Sequence, residues 1–343
     1  MFVGACGFAA AQSGAGVDAL FEEYSRPGAP GASVMVIRDG KPVYTHAYGL
    51  ADLEARTAAT PATNYRLASV TKQFTAMAVM ILAERKRLSY DDPLTKFFPA
   101  FPAYGKTITV RRLLGHTSGL KDYESLMTPG DTAQILDAGV LGLLARQEAG
   151  DFAPGARWSY SNSGYAVLSQ IVEKASGMRF AEFLKRNIFD PLGMNGTVAF
   201  EQGISTVSRR AYGYSQKDDH WERTDQSPTS AVLGDGGIYS SVEDLYRWDQ
   251  ALYGTRLVSA ETLRQAFTPG VLADGQKTSY GFGWELGEYR GVRTVRHGGS
   301  TIGFRTCILR MPDRRFSVIV LTNRNGGDPG KLAERIADLY LFN

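Results

Sequence analysis

Ser69 and Lys72 are the residues best placed to do chemistry, because they stand three positions apart at the start of a long apolar stretch. On a helix, residues with this spacing are neighbours on one face. A serine hydroxyl is a weak nucleophile until a base removes its proton, and a neutral lysine amine can be that base. Neutrality at pH 7 requires a pKa well below the usual ~10.4, so the site must lie in a partly buried cleft. The spacing therefore predicts nucleophilic catalysis.

The residues that follow this motif favour a helix. Residues 73–84 are mostly good helix formers and contain neither glycine nor proline. A second Ser-x-x-Lys, from Ser118 to Lys121, contains a glycine and follows a Gly-His-Thr segment, which is typical of a loop. Taken alone, the first motif could also be a helix-capping serine followed by a solvated lysine. Other residues must decide between these interpretations.

Two further polar segments could complete a catalytic site. Tyr160 and Asn162 follow a loop rich in proline and glycine, and they precede an amphipathic helix that ends at Gly177. The segment His297-Gly298-Gly299-Ser300 lies between two runs typical of strands, where glycines let the backbone approach a ligand. Each has a structural alternative: a core tyrosine, a helix N-cap, and a turn between strands.

Together these segments resemble, in order and rough spacing, the three motifs of the penicillin-recognising serine hydrolases. The branch that the chain resembles most contains class C β-lactamases, D-alanyl-D-alanine carboxypeptidases, D-aminopeptidases and family VIII carboxylesterases. The resemblance runs from about residue 15 to the C-terminus. It implies an α+β fold of the β-lactamase/transpeptidase type. In that fold an antiparallel sheet is flanked by the N- and C-terminal helices, and a mainly helical lobe is inserted.

The resemblance also implies a role for each residue. Ser69 would form an acyl-enzyme, and Lys72 and Tyr160 would share the general base and acid work. Which of these two is deprotonated in the free enzyme stays open, because groups this close titrate as a unit. Backbone N–H groups of Ser69 and Ser300 would form the oxyanion hole. The substrate-binding and oxyanion residues would be Asn162, His297, Gly298, Gly299 and Ser300.

The third motif departs from the family pattern. In β-lactamases and carboxypeptidases it usually begins with a lysine that helps to bind the substrate carboxylate, followed by threonine or serine. His297 and Gly298 take those places, and a histidine near its ordinary pKa offers hydrogen bonding but little charge at pH 7. We therefore expect a carboxylesterase that acts on short acyl esters. The alternatives are a D-amino-acid-specific peptidase or amidase, a weak β-lactamase, and a penicillin-binding sensor or pseudo-enzyme.

The composition is typical of a globular enzyme with a small-molecule ester, amide or peptide substrate. The 343 residues are 43% hydrophobic and 21% charged, and the net charge of +3 comes without the long basic runs that bind nucleic acid. After the N-terminus, apolar stretches are too short for an integral membrane segment. Two cysteines and four scattered histidines give no metal-ligand spacing, so neither a metal nor another cofactor is expected. Among these histidines, His116 is interpreted as structural.

The N-terminal segment is typical of the end of a signal peptide. Residues 1–12 are small and apolar, and Ala9-Ala10-Ala11 resembles a cleavage site, although a positively charged start is missing. We therefore expect a periplasmic or secreted bacterial protein, with a cytoplasmic protein as the alternative.

Strand and turn patterns predict how the chain is organised. The Asp39-Gly40 pair between two alternating runs predicts a β-hairpin, and further strand-like runs follow between residues 280 and 322. Early and late strands would then join one sheet domain, residues 13–66 and 226–343, around a helical domain, residues 67–225. The active site would lie at their junction, where clefts often form. The predicted strands are Gly31–Ile37, Pro42–Tyr48, Tyr280–Leu286, Arg293–His297, Phe304–Met311 and Phe316–Thr322, and the predicted terminal helices are Val17–Tyr24 and Gly330–Tyr340.

Overall fold

A six-stranded antiparallel sheet forms the centre of the protein in the computed structural model, which describes residues 14–342. Numbered along the chain, the strands are β1 (Ala32–Arg38), β2 (Lys41–Tyr48), β3 (Leu50–Asp52), β4 (Thr57–Ala58), β5 (Tyr65–Arg66), β6 (Val198–Ala199), β7 (Tyr214–Lys217), β8 (His220–Arg223), β9 (Ile238–Ser240), β10 (Glu285–Tyr289), β11 (Val292–Thr301), β12 (Phe304–Met311) and β13 (Phe316–Thr322). The order in the main sheet is β10-β11-β12-β13-β1-β2. The predicted union of early and late strands is therefore confirmed, through the antiparallel pairing of β1 with β13.

The central strands are apolar because both faces of the sheet are covered. All seven residues of β13 are buried, as are the first six of β1, so these strands read as continuous apolar runs. At the exposed end of β1, Asp39 and Gly40 have φ angles of +53° and +76°. Two successive positive φ angles are typical of a type I′ turn, which joins β1 to β2 as the sequence predicts.

The edge strand β10 begins later than predicted, at Glu285 instead of Tyr280. The backbone turns at Gly283, where φ is +78°, and a Cβ there would lie only 2.8 Å from the carbonyl oxygen of Lys72. A residue with a side chain would therefore clash as well as strain the backbone. The segment before β10 therefore folds back along β10, to which Tyr280 is joined by a single antiparallel bridge at Glu285, while Gly283 packs on the start of the helix that begins at Lys72.

Helices cover both faces of the sheet. They are α1 (residues 14–20), α2 (Lys72–Glu84), α3 (Leu94–Phe97), α4 (Val110–Leu114), α5 (Asp137–Ala145), α6 (Asn162–Ser176), α7 (Phe180–Leu184), α8 (Asp190–Leu192), α9 (Leu233–Gly236), α10 (Val242–Ala251), α11 (Ala260–Ala266) and α12 (Pro329–Ala337). Apolar residues of α1 and α12, such as Val17 and Ile336, form one core with one face of the sheet. Residues on the opposite face, such as Ile319, join a second and larger core with α2 and α6. The predicted α+β fold with terminal helices on the sheet is confirmed.

The helix α2 runs through the middle of the larger core, and nearly all of its thirteen residues are buried. The 3₁₀ turn Ala68–Thr71, which leads into α2, meets β11 and β12, so the entry to α2 lies beside the sheet. The exact domain bounds 13–66, 67–225 and 226–343 stay a prediction. Residues 1–12, assigned to a signal peptide from the sequence, lie outside the described residues, and export also stays a prediction. No helix within residues 14–342 is both long and apolar enough to cross a membrane.

Candidate active site

Ser69 lies in a 3₁₀ turn, Ala68–Thr71, that leads directly into α2. The preceding residue, Ala68, has a φ angle of +49°, a left-handed conformation that costs an L-residue roughly 1–2 kcal/mol. The surrounding structure must therefore hold the turn in place. One such contact comes from β12, where the Thr306 hydroxyl donates a hydrogen bond of 2.7 Å to the carbonyl oxygen of Leu67.

Lys72 begins α2, and its side chain is completely buried. Its Nζ lies 3.2 Å from Oγ of Ser69, so the two side chains that the spacing places on one face are in contact. Nζ also donates to Oδ1 of Asn162 at 2.8 Å and to the backbone carbonyl of Asp235 at 2.9 Å. These two oxygens can only accept hydrogen bonds. The contact with Oγ of Ser69 is the third one that Nζ makes, so the amine and the hydroxyl are close enough to exchange a proton.

The second Ser-x-x-Lys segment forms no such pair and lies in a loop, as predicted. The hydroxyl of Ser118 accepts a hydrogen bond from the backbone N–H of Leu120 at 3.3 Å. Lys121 points elsewhere and donates to Oε1 of Gln147 at 3.3 Å. The same four-residue spacing therefore gives a different geometry when no helix follows it.

Tyr160 stands at the mouth of the site with 39% of its surface exposed, so it is not a core tyrosine. Its ring centre lies 4.9 Å from Nζ of Lys72 and 4.3 Å from the ring centre of His116. Burial holds the pKa of His116 well below its ordinary value. The neutral ring accepts a hydrogen bond at Nδ1 from the backbone N–H of Ser161, at 3.0 Å. The structural interpretation of His116 thus fits: it fixes the loop that carries Tyr160.

Asn162 is the first residue of α6, and Ser161 is the N-cap. The Ser161 hydroxyl accepts a hydrogen bond from the backbone N–H of Gly164 at 3.1 Å. The alternative that Asn162 is the N-cap is therefore wrong, because the preceding residue, Ser161, has that role. Because Ser161 caps the helix, the side chain of Asn162 is available to accept the hydrogen bond from Lys72.

His297 is buried in β11, and both of its ring nitrogens are bonded within the protein. Nδ1 lies 2.6 Å from the carbonyl oxygen of Gly298, so Nδ1 carries the hydrogen and donates it. Nε2 then accepts a hydrogen bond from the Tyr280 hydroxyl at 2.8 Å. Burial, with a smaller effect from the charge of Lys72, lowers the pKa of His297 to about 3. The expectation that His297 carries little charge agrees with this low pKa. Its ring nitrogens were expected to bond a substrate, but both are bonded to Tyr280 and Gly298.

The two glycines after His297 have different surroundings. A Cβ on Gly299 would lie 2.2 Å from both the carbonyl oxygen of Leu67 and Oγ1 of Thr306. Only glycine lets β11 approach the turn that carries the serine so closely. A Cβ on Gly298 would meet only the carbonyl oxygen of Thr306, at 3.9 Å, so this position has room for a side chain.

A pocket of about 60 Å³ lies beside the serine. Ser69 and Ser300 both line it, which places the two residues expected to form the oxyanion hole on one cavity. The pocket also has two carboxyl groups, from Glu124 and Asp235. It has one buried cation, Arg66, whose Nη2 donates to the carbonyl oxygen of Ser230 at 2.7 Å.

Asp235 is the main functional candidate that the sequence did not reveal. Its Oδ2 accepts a hydrogen bond from the hydroxyl of buried Tyr123 at 3.2 Å. Burial raises the pKa of this carboxyl to about 7, although the nearby charge of Lys72 acts in the opposite direction. Burial also raises the pKa of Glu124, with a further contribution from Asp122. In the sequence, Asp235 belongs only to an Asp-Gly-Gly segment, which has no spacing typical of a catalytic motif.

Within residues 14–342, no three His, Cys, Asp or Glu side chains are grouped so that they could hold a metal ion. The described cysteine, Cys307, is buried as a free thiol, and burial raises its pKa to about 12. The reactive groups that the structure brings together at this site are the hydroxyl of Ser69, the amine of Lys72 and the phenol of Tyr160.

Comparison with known proteins places these residues in context. A family model described as Beta-lactamase matches residues 17–341. Penicillin-binding protein 4* of Bacillus subtilis (strain 168) is 34% identical over 320 residues, which cover 89% of this chain and 70% of that protein. The D-aminopeptidase of Brucella anthropi is 32% identical over 309 residues, which cover 87% of this chain. The chain spans only 57% of the length of that D-aminopeptidase.

Solved structures show the same fold. The octameric penicillin-binding protein homologue from Pyrococcus abyssi has a TM-score of 0.83 and 30% identity, covering 96% of this chain and 77% of its own. The D-amino acid amidase from Ochrobactrum anthropi SV3, complexed with L-phenylalanine amide, has a TM-score of 0.81 and 23% identity, covering 96% and 98%. The family match over nearly the whole chain and the relatives above 30% identity agree. The chain belongs to the β-lactamase family of serine hydrolases, which includes penicillin-binding proteins and D-aminopeptidases.

Proposed function

We propose that this protein cleaves amides or short peptides of small D-amino acids through an acyl-enzyme on Ser69. The observation that carries the proposal is the position of Lys72. Its amine touches Ser69 while two carbonyl oxygens, from Asn162 and Asp235, occupy its other donors. This arrangement fits a base that takes the hydroxyl proton as the serine attacks.

The reaction would proceed in two balanced steps. Oγ of Ser69 bonds to the substrate carbonyl carbon, and its proton passes to Lys72. The negative charge that develops on the carbonyl oxygen is stabilised by the backbone N–H groups of Ser69 and Ser300, each worth about 3–4 kcal/mol in such sites. The C–N bond then breaks, and Tyr160 and Lys72 deliver a proton to the leaving nitrogen. Water hydrolyses the serine ester by the reverse sequence, releasing the acid and the free hydroxyl.

The pocket beside Ser69 supports a small aminoacyl group. Its volume of about 60 Å³ suits a methyl-sized side chain. The carboxyl groups of Glu124 and Asp235 line it and could hold a primary ammonium, since two carboxyl groups there face the single guanidinium of Arg66. The preference for the D configuration is inferred from the relatives, which are called D-aminopeptidases.

The state of His297 argues against substrates that need a carboxylate clamp. The ring is neutral, buried, and bonded at both nitrogens to Tyr280 and Gly298. It therefore presents neither a charge nor a free donor to a substrate carboxylate, as the usual lysine would. Efficient β-lactam or D-Ala-D-Ala recognition is disfavoured for this reason. The carboxylesterase activity expected from the sequence stays a prediction, since an activated ester could acylate the same serine.

The proposal is tested by ranking substrates on the purified protein. D-Ala p-nitroanilide, its L isomer, p-nitrophenyl butyrate and a chromogenic cephalosporin are compared at equal concentration, with Ser69→Ala as the inactive reference. We expect the D-anilide to be cleaved faster than its L isomer and the cephalosporin. Preferential cleavage of the butyrate ester with no anilide turnover would instead establish an esterase. Turnover that survives in Ser69→Ala would reject the nucleophile, and a stable adduct without turnover would indicate a sensor.

A further inference from the structure

A second cavity, of about 300 Å³, is lined by Tyr160. Its lining also includes Trp158 and residues of the edge strand β10 and its neighbour β11. We call this cavity the Tyr160 groove. It is about five times larger than the pocket beside Ser69, which Tyr160 does not line.

The Tyr160 groove has an excess of negative charge. Arg296 donates through Nε to Glu285 at 3.1 Å and through Nη1 to Glu334 at 2.9 Å, so its guanidinium is held between two carboxylates. Glu288 adds a third carboxylate to the lining and is exposed to solvent. Three acidic groups therefore line the groove with one paired cation, and a cationic ligand is favoured over an anionic one.

The aromatic wall points to the same kind of ligand. The side chains of Trp158 and Tyr160 are 40% and 39% exposed, although most large rings of this protein are buried. An ammonium or guanidinium over the face of such a ring gains about 0.5–1 kcal/mol at an exposed site. Exposed rings and carboxylates thus line one groove, and both kinds of group are complementary to an organic cation.

The position of the groove identifies which part of a substrate it would receive. The leaving nitrogen must take a proton from the acid–base pair, so it departs on the side of Tyr160. Under the proposed function the acyl group occupies the pocket lined by Ser69, Asn162 and Ser300. A leaving group that departs past Tyr160 would enter the groove that this residue lines.

We propose that the Tyr160 groove selects leaving groups that carry a second, positively charged group. In a peptide substrate this is a residue with a side-chain ammonium or guanidinium directly after the scissile bond. The inference rests on the proposed function, because it concerns the amine released in the acylation step. In that step the C–N bond breaks and the nitrogen gains one proton, while the distal cation stays bound in the groove.

The kinetic test compares three peptides that differ only in the leaving group: D-Ala-L-Lys-NH2, D-Ala-L-Nle-NH2 and D-Ala-L-Glu-NH2. We expect kcat/KM to be about fivefold higher for the lysine than for the norleucine peptide, and lowest for the glutamate peptide. The ratio should shrink at 0.5 M salt, which screens exposed charges. Glu288→Gln should lower the lysine-to-norleucine ratio at least about twofold. Glu261→Gln, an exposed glutamate outside the groove, should leave the ratio unchanged.

A binding measurement separates this inference from the proposed function. Calorimetry compares L-lysinamide with L-norleucinamide on Ser69→Ala, where no turnover is needed. Equal kcat/KM for the three peptides would overturn the groove inference and leave the amidase proposal intact. If no peptide is cleaved but lysinamide still binds better in a Glu288-dependent way, the amidase proposal fails and cation selection by the groove stands. Equal binding of both amides would reject the groove inference directly.

Discussion

The hydroxyl of Tyr280 donates a hydrogen bond of 2.8 Å to Nε2 of His297. Together with the bond from Nδ1 to the carbonyl oxygen of Gly298, this contact fixes the ring tautomer and leaves the ring without a free donor. His297 stands where β-lactamases and carboxypeptidases usually have a lysine, but its ring is neutral and bonded within the protein. The buried pair of Tyr280 and His297 therefore leaves this position of the cleft without a positive charge.

This pair predicts that His297 stays neutral across the working pH range. Burial lowers its pKa to about 3, and the Tyr280 hydroxyl stabilises the unprotonated ring further. In protein labelled with ¹⁵N-histidine, the ring nitrogens of His297 should keep their neutral shifts from pH 8 to about pH 4. The resonances are assigned by their loss in His297→Gln. A midpoint near 6.5 would contradict the assignment of a buried neutral ring.

The two neighbouring glycines offer a matched pair of substitutions. Gly299→Ala would place a methyl group 2.2 Å from the carbonyl oxygen of Leu67 and so push β11 away from the serine turn. We expect kcat to fall by at least about tenfold, because a displacement of about 1 Å can cost up to about 10²-fold. Gly298→Ala, whose methyl group meets only Thr306 at 3.9 Å, should retain most of the activity and stability. Equal effects of the two substitutions on kcat would show that activity does not depend on the close approach of β11, at Gly299, to the carbonyl oxygen of Leu67.

Lys72 and Lys121 provide a second matched pair, because both follow a serine by three residues. Lys72→Ala removes the amine that touches Ser69 and should slow acylation by about 10²–10⁴-fold. Lys121→Ala removes a lysine that is bonded to Gln147 and should leave acylation unchanged. The burst of p-nitrophenol from p-nitrophenyl butyrate measures the step directly, and circular dichroism checks the fold. A full burst in folded Lys72→Ala would exclude this lysine as the base.

The sequence was sufficient where a local pattern fixes a local geometry. The spacing of Ser69 and Lys72, the Asp39-Gly40 turn and the apolar runs of β1 and β13 all led to the observed arrangement. The sequence was insufficient where two residues in contact are far apart in the chain. Tyr280 meets His297 where the chain turns at Gly283 and folds back along β10, a turn that the strand-like pattern concealed.

Asp235 was missed for the same reason. Its carboxyl is bonded to Tyr123, more than a hundred residues earlier, and its backbone carbonyl accepts from Lys72. No local spacing could report either contact. The Tyr160 groove combines charges from β10, β11 and α12, so it also depends on sheet registry and helix packing that the sequence pattern did not define.

The raised pKa of Asp235 predicts how stability depends on pH. The folded value is about 7, whereas an unfolded aspartate has a pKa of about 3.9, so the folded protein binds more protons between these values. Stability should therefore fall as pH rises from about 4 to 7, by an amount on the order of a few kcal/mol. Asp137, whose pKa burial raises to about 6, acts in the same direction. The buried histidines His116 and His297, whose pKa values are lowered, act in the opposite direction below about 6.5.

The contribution of Asp235 is isolated by comparing the wild type with Asp235→Asn in urea unfolding at pH 5 and pH 8. The variant cannot ionise, so its loss of stability between the two pH values should be smaller than that of the wild type. Asp313→Asn is the control, since Asp313 is exposed and its hydrogen bond from Arg293 lowers its pKa. That substitution should leave the difference between pH 5 and pH 8 unchanged. Parallel pH profiles for the wild type and Asp235→Asn would mean that the carboxyl is ionised throughout, because Lys72 would then outweigh the effect of burial.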